Sequence, residues 1–202
     1  MNILLIRHGE TDGNLKGFVQ SANTPLNAVG KNQANLLHQV LGKRNISKIL
    51  SSDLMRAKQT IEKFVGEKNI PCSWSEILRE RDFGELKGKF YKDIDNTEVF
   101  EASFSPPGGE NQKQFETRID SAWNEIIELS SSLSGELGIV THGLVIKDFL
   151  KRKLFLDKSI CSKYEIVPNT SITIFEPSYP FKVVEFASTK HLESVSVNQG
   201  LV

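Results

Sequence analysis

The sequence predicts an α/β sandwich, and two observations carry that expectation. Short apolar runs bounded by loop residues recur at Ile3 to Ile6, Ile46 to Leu50 and Leu137 to Val140, each too short for an ordinary helix and so read as buried strands. Between them lie segments with helical spacing: Ala34, Leu37 and Leu41; Ala57, Ile61, Phe64 and Val65; then Phe115, Ile119, Ala122, Ile126 and Leu129. Strand and helix alternate, which is the pattern of a sheet covered by helices.

Taken in order, the first strand ends in Arg7-His8-Gly9-Glu10, at the carboxyl end where open α/β sheets place their chemistry. Three residue types suited to a phosphate meet there: an imidazole that can attack, a guanidinium that grips an anion in a fork, and a glycine that lets backbone approach closely. Alone, the tetrapeptide also reads as a loop after a strand. The second strand runs into Ser51-Ser52-Asp53, good amino-terminal caps for a helix starting near Leu54, which puts Arg56 in its first turn. A cation there opposes the helix dipole, so either a bound anion offsets it or Arg56 is a surface residue.

Val140-Thr141-His142-Gly143 repeats the opening pattern of strand, polar residue, histidine and glycine before the next helix. One such histidine is more often a structural hydrogen bonder; two, with two arginines at equivalent strand ends, point to a shared site. His38, inside a helical pattern, and His191, in the tail, have no such setting and receive no role. Ser171 to Phe175 and Phe181 to Phe186 read as strands joined by Pro177-Ser178-Tyr179-Pro180, a hairpin at a sheet edge. The stretch from about Phe83 to Gln112, containing Pro106-Pro107-Gly108-Gly109, lacks periodicity and is too long for a simple connection, so it is expected to cover a site.

Composition narrows the possibilities. The 202 residues, 39% hydrophobic, suit one domain over 1–202. Lys plus Arg and Asp plus Glu balance at 25 each, leaving no global field for nucleic acid or an anionic membrane; any anion affinity is local. No run approaches the ~18 apolar residues of a membrane span. The first strand follows Met1-Asn2 without a basic segment or signal-like apolar stretch, so a cytoplasmic chain is expected. Cys72 and Cys161 form no CxxC pair and have no nearby histidine, which suggests reduced thiols and no zinc site.

Several motifs now line up. Arg7-His8-Gly9-Glu10-Thr11 with Asn14, Pro25-Leu26 with Gly30 and Gln33-Ala34, and Ser51-Ser52-Asp53-Leu54 with Arg56-Ala57 and Thr60 come first. Leu78-Arg79-Glu80 with Phe83-Gly84 and Gly88, then Pro107-Gly108-Gly109-Glu110, and finally Thr141-His142-Gly143 follow. In that order they resemble the histidine phosphatase superfamily, also called the phosphoglycerate mutase-like family, and Asn169-Thr170-Ser171 before an apolar strand adds to the likeness. The resemblance implies a three-layer α/β/α sandwich with a mostly parallel central sheet. It also implies phosphoryl transfer through a phosphorylated histidine, without metal or other cofactor.

By the same resemblance His8 is the nucleophile, and Arg7, Arg56 and His142 surround the equatorial phosphoryl oxygens. Glu80 gives a proton to the leaving group and then takes one from water. Read locally, Glu80 is an ordinary carboxylate in a charged run and Asp82 is its rival; only the resemblance selects Glu80. Asn14, Gln20 and the backbone amide of Gly143 fall where phosphate or substrate is contacted. Arg81 could hold a substrate carboxylate, or pair within Arg79-Glu80-Arg81-Asp82.

Phosphoglycerate mutases that this chain resembles carry a Gly-Trp segment after the nucleophile, and a long insertion with a lysine and paired arginines beyond the glutamate. Here the first region reads Gln20-Ser21-Ala22-Asn23, and Lys89 to Pro106 contains no arginine. A phosphatase acting on a small phosphorylated metabolite is therefore expected. The alternatives are a 2,3-bisphosphoglycerate-dependent phosphoglycerate mutase and a non-catalytic phospholigand-binding module. Phe18 stands where arginine is frequent, Ser21 where glycine is common and Asn23 where aspartate is usual, and Phe18 is expected to offer the substrate an apolar wall. Terminal strands that could pair across a homodimer leave that assembly open.

Overall fold

The computed structural model describes residues 1–94, 103–157 and 166–193. Its strands are β1 (Ile3–Arg7), β2 (Ile46–Ser52), β3 (Cys72–Ser75), β4 (Glu136–Thr141), β5 (Ile172–Phe175) and β6 (Val183–Ser188). They form one sheet in the order β3-β2-β4-β1-β5-β6, parallel from β3 to β1 and antiparallel from β1 to β6. The helices are α1 (Asp12–Lys16), α2 (Ala28–Leu41), α3 (Met55–Lys68), α4 (Gln112–Ser131) and α5 (Gly143–Arg152).

β1 shows why the strands are continuous apolar runs. Leu4 and Ile6 pack with Leu37, Leu41, Ile61 and Phe64 of α2 and α3, whereas Ile3 and Leu5 pack with Phe115, Ile119, Ile126 and Phe149 of α4 and α5. Both faces are covered, so both phases of the strand must be apolar. The result is the expected three-layer sandwich with a mostly parallel sheet, and β5 and β6 form the expected edge hairpin. Among the described residues no helix is long and apolar enough to cross a membrane.

Two local expectations are corrected. β3 was not foreseen, because Cys72-Ser73-Trp74-Ser75 lacks an apolar run; it is an edge strand paired along β2, with Trp74 42% exposed, and so needs less apolar surface. Ser51, Ser52 and Asp53 do not cap α3. Its N-cap is Leu54, without a side-chain cap bond, because Asp53 receives both arms of Arg79 at 2.6 and 2.5 Å and Ser52 turns toward His142. The stretch from Phe83 to Gln112 contains short 3₁₀ turns at Gly84–Leu86 and Tyr91–Asp93; its residues 95–102, like Cys161, lie outside the described residues.

The strand order positions the site. β4 lies between β1 and β2, and its register sets Arg7 opposite Thr141, so His8 and His142 leave the sheet side by side. The carboxyl ends of three adjacent parallel strands thus open on one place.

Candidate active site

His8 is fixed at both ends. Its amide donates to the Thr141 carbonyl at 3.0 Å, and its ring Nδ1 lies 2.7 Å from the Gly9 carbonyl. Nδ1 therefore carries the proton and donates, leaving Nε2 with a bare lone pair. Burial, with the guanidinium charges of Arg56 and Arg7 nearby, holds the imidazole well below its ordinary pKa. The ring stays neutral.

The ring centroid of His142 lies 5.1 Å from that of His8, and its Nε2 lies 2.8 Å from Ser52 Oγ. The Ser52 hydroxyl accepts from the Leu54 amide at 3.3 Å, and among the described residues its proton has no acceptor besides His142 Nε2, so it donates there and Nδ1 becomes the donor. Burial first, then Arg56 and His8, keep this imidazole neutral as well.

Two arginines and an asparagine complete the floor. Arg7 Nη1 donates to the Val167 carbonyl at 2.5 Å and Arg56 Nη1 to the Ser21 carbonyl at 3.0 Å. Burial lowers both guanidinium pKa values to about 10, which leaves them charged at neutral pH. Asn14 Oδ1 accepts from the Thr11 amide and Asn169 Nδ2, so its own Nδ2 is the donor to spare. Arg7 Nε, Arg56 Nε, Asn14 Nδ2 and His142 Nδ1 are buried donors with no acceptor among the described residues. Each such orphan costs about 1–3 kcal/mol, a cost that an oxyanion placed among them would relieve. Arg7, His8, Asn14 and Arg56 line a cavity of about 370 Å³.

Glu80 faces the same cavity. Its Oε1 accepts from the Arg81 amide at 3.0 Å and its Oε2 from the Leu144 amide, in the first turn of α5, at 3.1 Å. Asp82, its rival, is committed elsewhere: Oδ1 accepts from the Gly84 amide and pairs with Lys87, both at 2.7 Å. The segment carrying Glu80 is braced by Arg118 of α4. That side chain grips both oxygens of Glu110 at 2.7 Å and donates to the Ile77 and Arg79 carbonyls at 2.8 Å. Gly109 lies so close beneath that a Cβ there would stand 2.4 Å from the Asp82 carbonyl oxygen. Gly30 is needed likewise, because a Cβ there would collide with the Glu10 carbonyl oxygen, while Gln33 Oε1 accepts from the Glu10 amide.

Some expected contacts change. Arg81 lines the cavity, and its guanidinium also donates to the Glu110 carbonyl, Gln112 and the Phe104 carbonyl, so it ties the covering loop together. The ion pairs of its neighbours also run outside the tetrad, Arg79 to Asp53 and Asp82 to Lys87. Phe18 is not a cavity wall: it packs edge-on against Phe90, and Val19 and Tyr91 turn inward instead. Gln20 does line the cavity, accepting from the Thr11 hydroxyl at 2.9 Å. Gly143 is the buried first residue of α5, but the amide in use there is that of Leu144.

Sequence reasoning passed over four contributors. Ser52 orients His142, and Tyr91, whose phenol is raised to about 12 by burial and then by Glu80, faces the floor. Asn169 Nδ2 donates to the His8 carbonyl at 2.9 Å, while the Thr170 amide reaches the Arg7 and His8 carbonyls at 3.1 and 3.3 Å. Thr170 does so with φ of +53°, a left-handed conformation that a β-branched residue adopts only under constraint. His191, expected to have no role, has its Nε2 3.2 Å from Thr170 Oγ1; His38 bonds the Thr60 carbonyl at 2.9 Å.

The two buried imidazoles predict a pH dependence of stability. Both bind protons less readily folded than unfolded, so their contribution is complete above the unfolded value near 6.5 and declines as pH falls below it. The expected loss is about 1.4 kcal/mol per pH unit per imidazole. Urea unfolding at stepped pH between neutral and mildly acid conditions measures it, and His142→Gln should give a shallower slope than the unaltered chain.

A sequence model of the histidine phosphatase superfamily (branch 1) matches residues 3–187. A Schizosaccharomyces pombe protein named as a probable phosphatase is 32% identical over 203 residues, covering 96% of each chain. The metal-independent phosphoserine phosphatase of Arabidopsis thaliana is 30% identical, over 98% of this chain and 85% of its own length. The crystal structure of the α-ribazole phosphatase of Shigella flexneri superposes with a TM-score of 0.75 at 25% identity, covering 90% of this chain and 93% of that one.

Proposed function

This chain belongs to the histidine phosphatase superfamily, and from that membership we propose that it hydrolyses small phosphomonoesters, without metal, through a phosphohistidine on His8. One observation carries the reading: a neutral His8 with a bare Nε2 lines one cavity with Arg7, Arg56 and Asn14, each of which keeps a buried donor that lacks an acceptor among the described residues.

In the proposed reaction Nε2 attacks phosphorus while the ester P–O bond breaks. Arg7, Arg56, Asn14 and His142 hold the equatorial oxygens as charge shifts toward the leaving oxygen. Glu80, acting as general acid, protonates that oxygen; its carboxylate then takes a proton from water, which attacks the phosphohistidine and releases inorganic phosphate. The name of the Arabidopsis relative supports independence from metal.

Release of phosphate from p-nitrophenyl phosphate and from small alkyl phosphates, assayed with and without EDTA, tests the proposal. Equal rates are expected in both conditions, and loss of activity in EDTA would overturn the metal-free route. Conversion of 3-phosphoglycerate to 2-phosphoglycerate in the presence of 2,3-bisphosphoglycerate, faster than its hydrolysis, would favour a mutase instead.

A further inference from the structure

We infer that the site selects phosphomonoesters whose leaving group carries no net charge; this rests on the phosphatase reading above. Charge is distributed unevenly among the residues lining the cavity. On the floor, neither Arg7 nor Arg56 forms an ion pair among the described residues. Among the described residues, the other cations of the cavity lining already have acceptors. Arg79 is bidentate on Asp53 and reaches Glu76 at 3.1 Å, Lys87 sits on Asp82 at 2.7 Å, and Arg118 is bidentate on Glu110. Arg81 is taken up by two carbonyls and Gln112.

The same cavity is also lined by the apolar residues Val19, Ala22, Leu54, Ile77, Phe83 and Leu144. The phosphoryl group thus meets two guanidinium groups held in no ion pair among the described residues, with the Glu80 carboxylate acting on both, while the group it leaves behind meets cations already engaged. A carboxylate or second phosphate on the leaving group would be desolvated against apolar side chains and set near Glu76 and Asp82. It could gain a cation only by displacing a carboxylate, or the carbonyls and Gln112 that hold Arg81, already in place. A hydroxyl incurs neither cost, and an ammonium–carboxylate pair carries its own compensation.

Glycerol 3-phosphate, phosphoserine and 3-phosphoglycerate form a matched test, because they share a three-carbon skeleton but release neutral, zwitterionic and anionic alcohols. The first two are expected to have similar kcat/KM, about tenfold or more above 3-phosphoglycerate at low ionic strength, with the gap narrowing as salt is added. Asp82→Asn keeps the oxygen that accepts from the Gly84 amide but removes the charge opposite Lys87, and should narrow the gap several-fold; Lys87→Gln should widen it. Hydrolysis of 3-phosphoglycerate as fast as that of glycerol 3-phosphate would overturn the inference and leave the phosphatase reading standing. If none of these esters nor p-nitrophenyl phosphate releases phosphate, the phosphatase reading fails and the inference falls with it.

Discussion

His8→Ala is expected to lower p-nitrophenyl phosphate hydrolysis by on the order of 10⁴-fold or more. The size of the loss follows from what remains. Arg7, Arg56, Asn14 and His142 can still hold the phosphoryl oxygens, but no other neutral nitrogen with a free lone pair is placed to attack. His142 is no substitute, because its Nε2 is occupied by Ser52 and its Nδ1 carries the proton. Quenching the unaltered protein during turnover of a ³²P-labelled ester should trap label as a phosphoramidate, stable in alkali and lost in acid. His8→Ala should trap none while still binding inorganic phosphate, which separates loss of the nucleophile from loss of the fold. Label that persists in His8→Ala would sink the assignment.

Glu80→Gln should behave differently for different esters. Alkyl phosphates, whose alkoxide needs a proton to depart, should lose about 10²- to 10⁴-fold in kcat. p-Nitrophenyl phosphate should lose far less at the phosphorylation step, because p-nitrophenolate leaves without protonation. Glutamine keeps an oxygen to accept from the Leu144 amide, so the segment stays anchored to α5. A uniform loss for both ester types would mean that Glu80 acts by holding structure and not by moving a proton. Asp82→Asn should retain the ratio of alkyl phosphate to p-nitrophenyl phosphate hydrolysis of the unaltered chain, since Asp82 Oδ1 is engaged by Gly84 and Lys87.

The layered fold was legible because β1 and β4 are covered on both faces, and only a continuous apolar run satisfies that condition. Arg7, His8 and His142 were legible for a related reason: polar residues directly after such runs must emerge at the sheet's carboxyl edge. Gly30 and Gln33 could be recognised only as parts of a pattern; their physical reason, the approach to the Glu10 backbone, appears only in three dimensions.

What sequence could not supply is orientation. The Gly9 carbonyl that sets the His8 tautomer and the Ser52 hydroxyl that sets that of His142 are ordinary groups whose role depends on angle and distance. Arg118 was hidden among the polar positions of a periodic helix, because nothing local distinguishes a brace from a solvated cation. Phe18 misled for the same reason: residue type suggested a ligand contact, whereas the loop's own packing claimed the side chain.

The strand that leads into His8 precedes the rest of the sheet in the chain, yet both of its neighbours, β4 and β5, come from the second half of the 202 residues. While the protein emerges from a ribosome, His8 exists early but has no Thr141 carbonyl to anchor its amide. Arg7 has no Val167 carbonyl until 160 further residues have been added. Catalytic competence is thus acquired late, when the closing hairpin docks, and a nascent or prematurely ended chain would display every early motif without a working phosphate pocket.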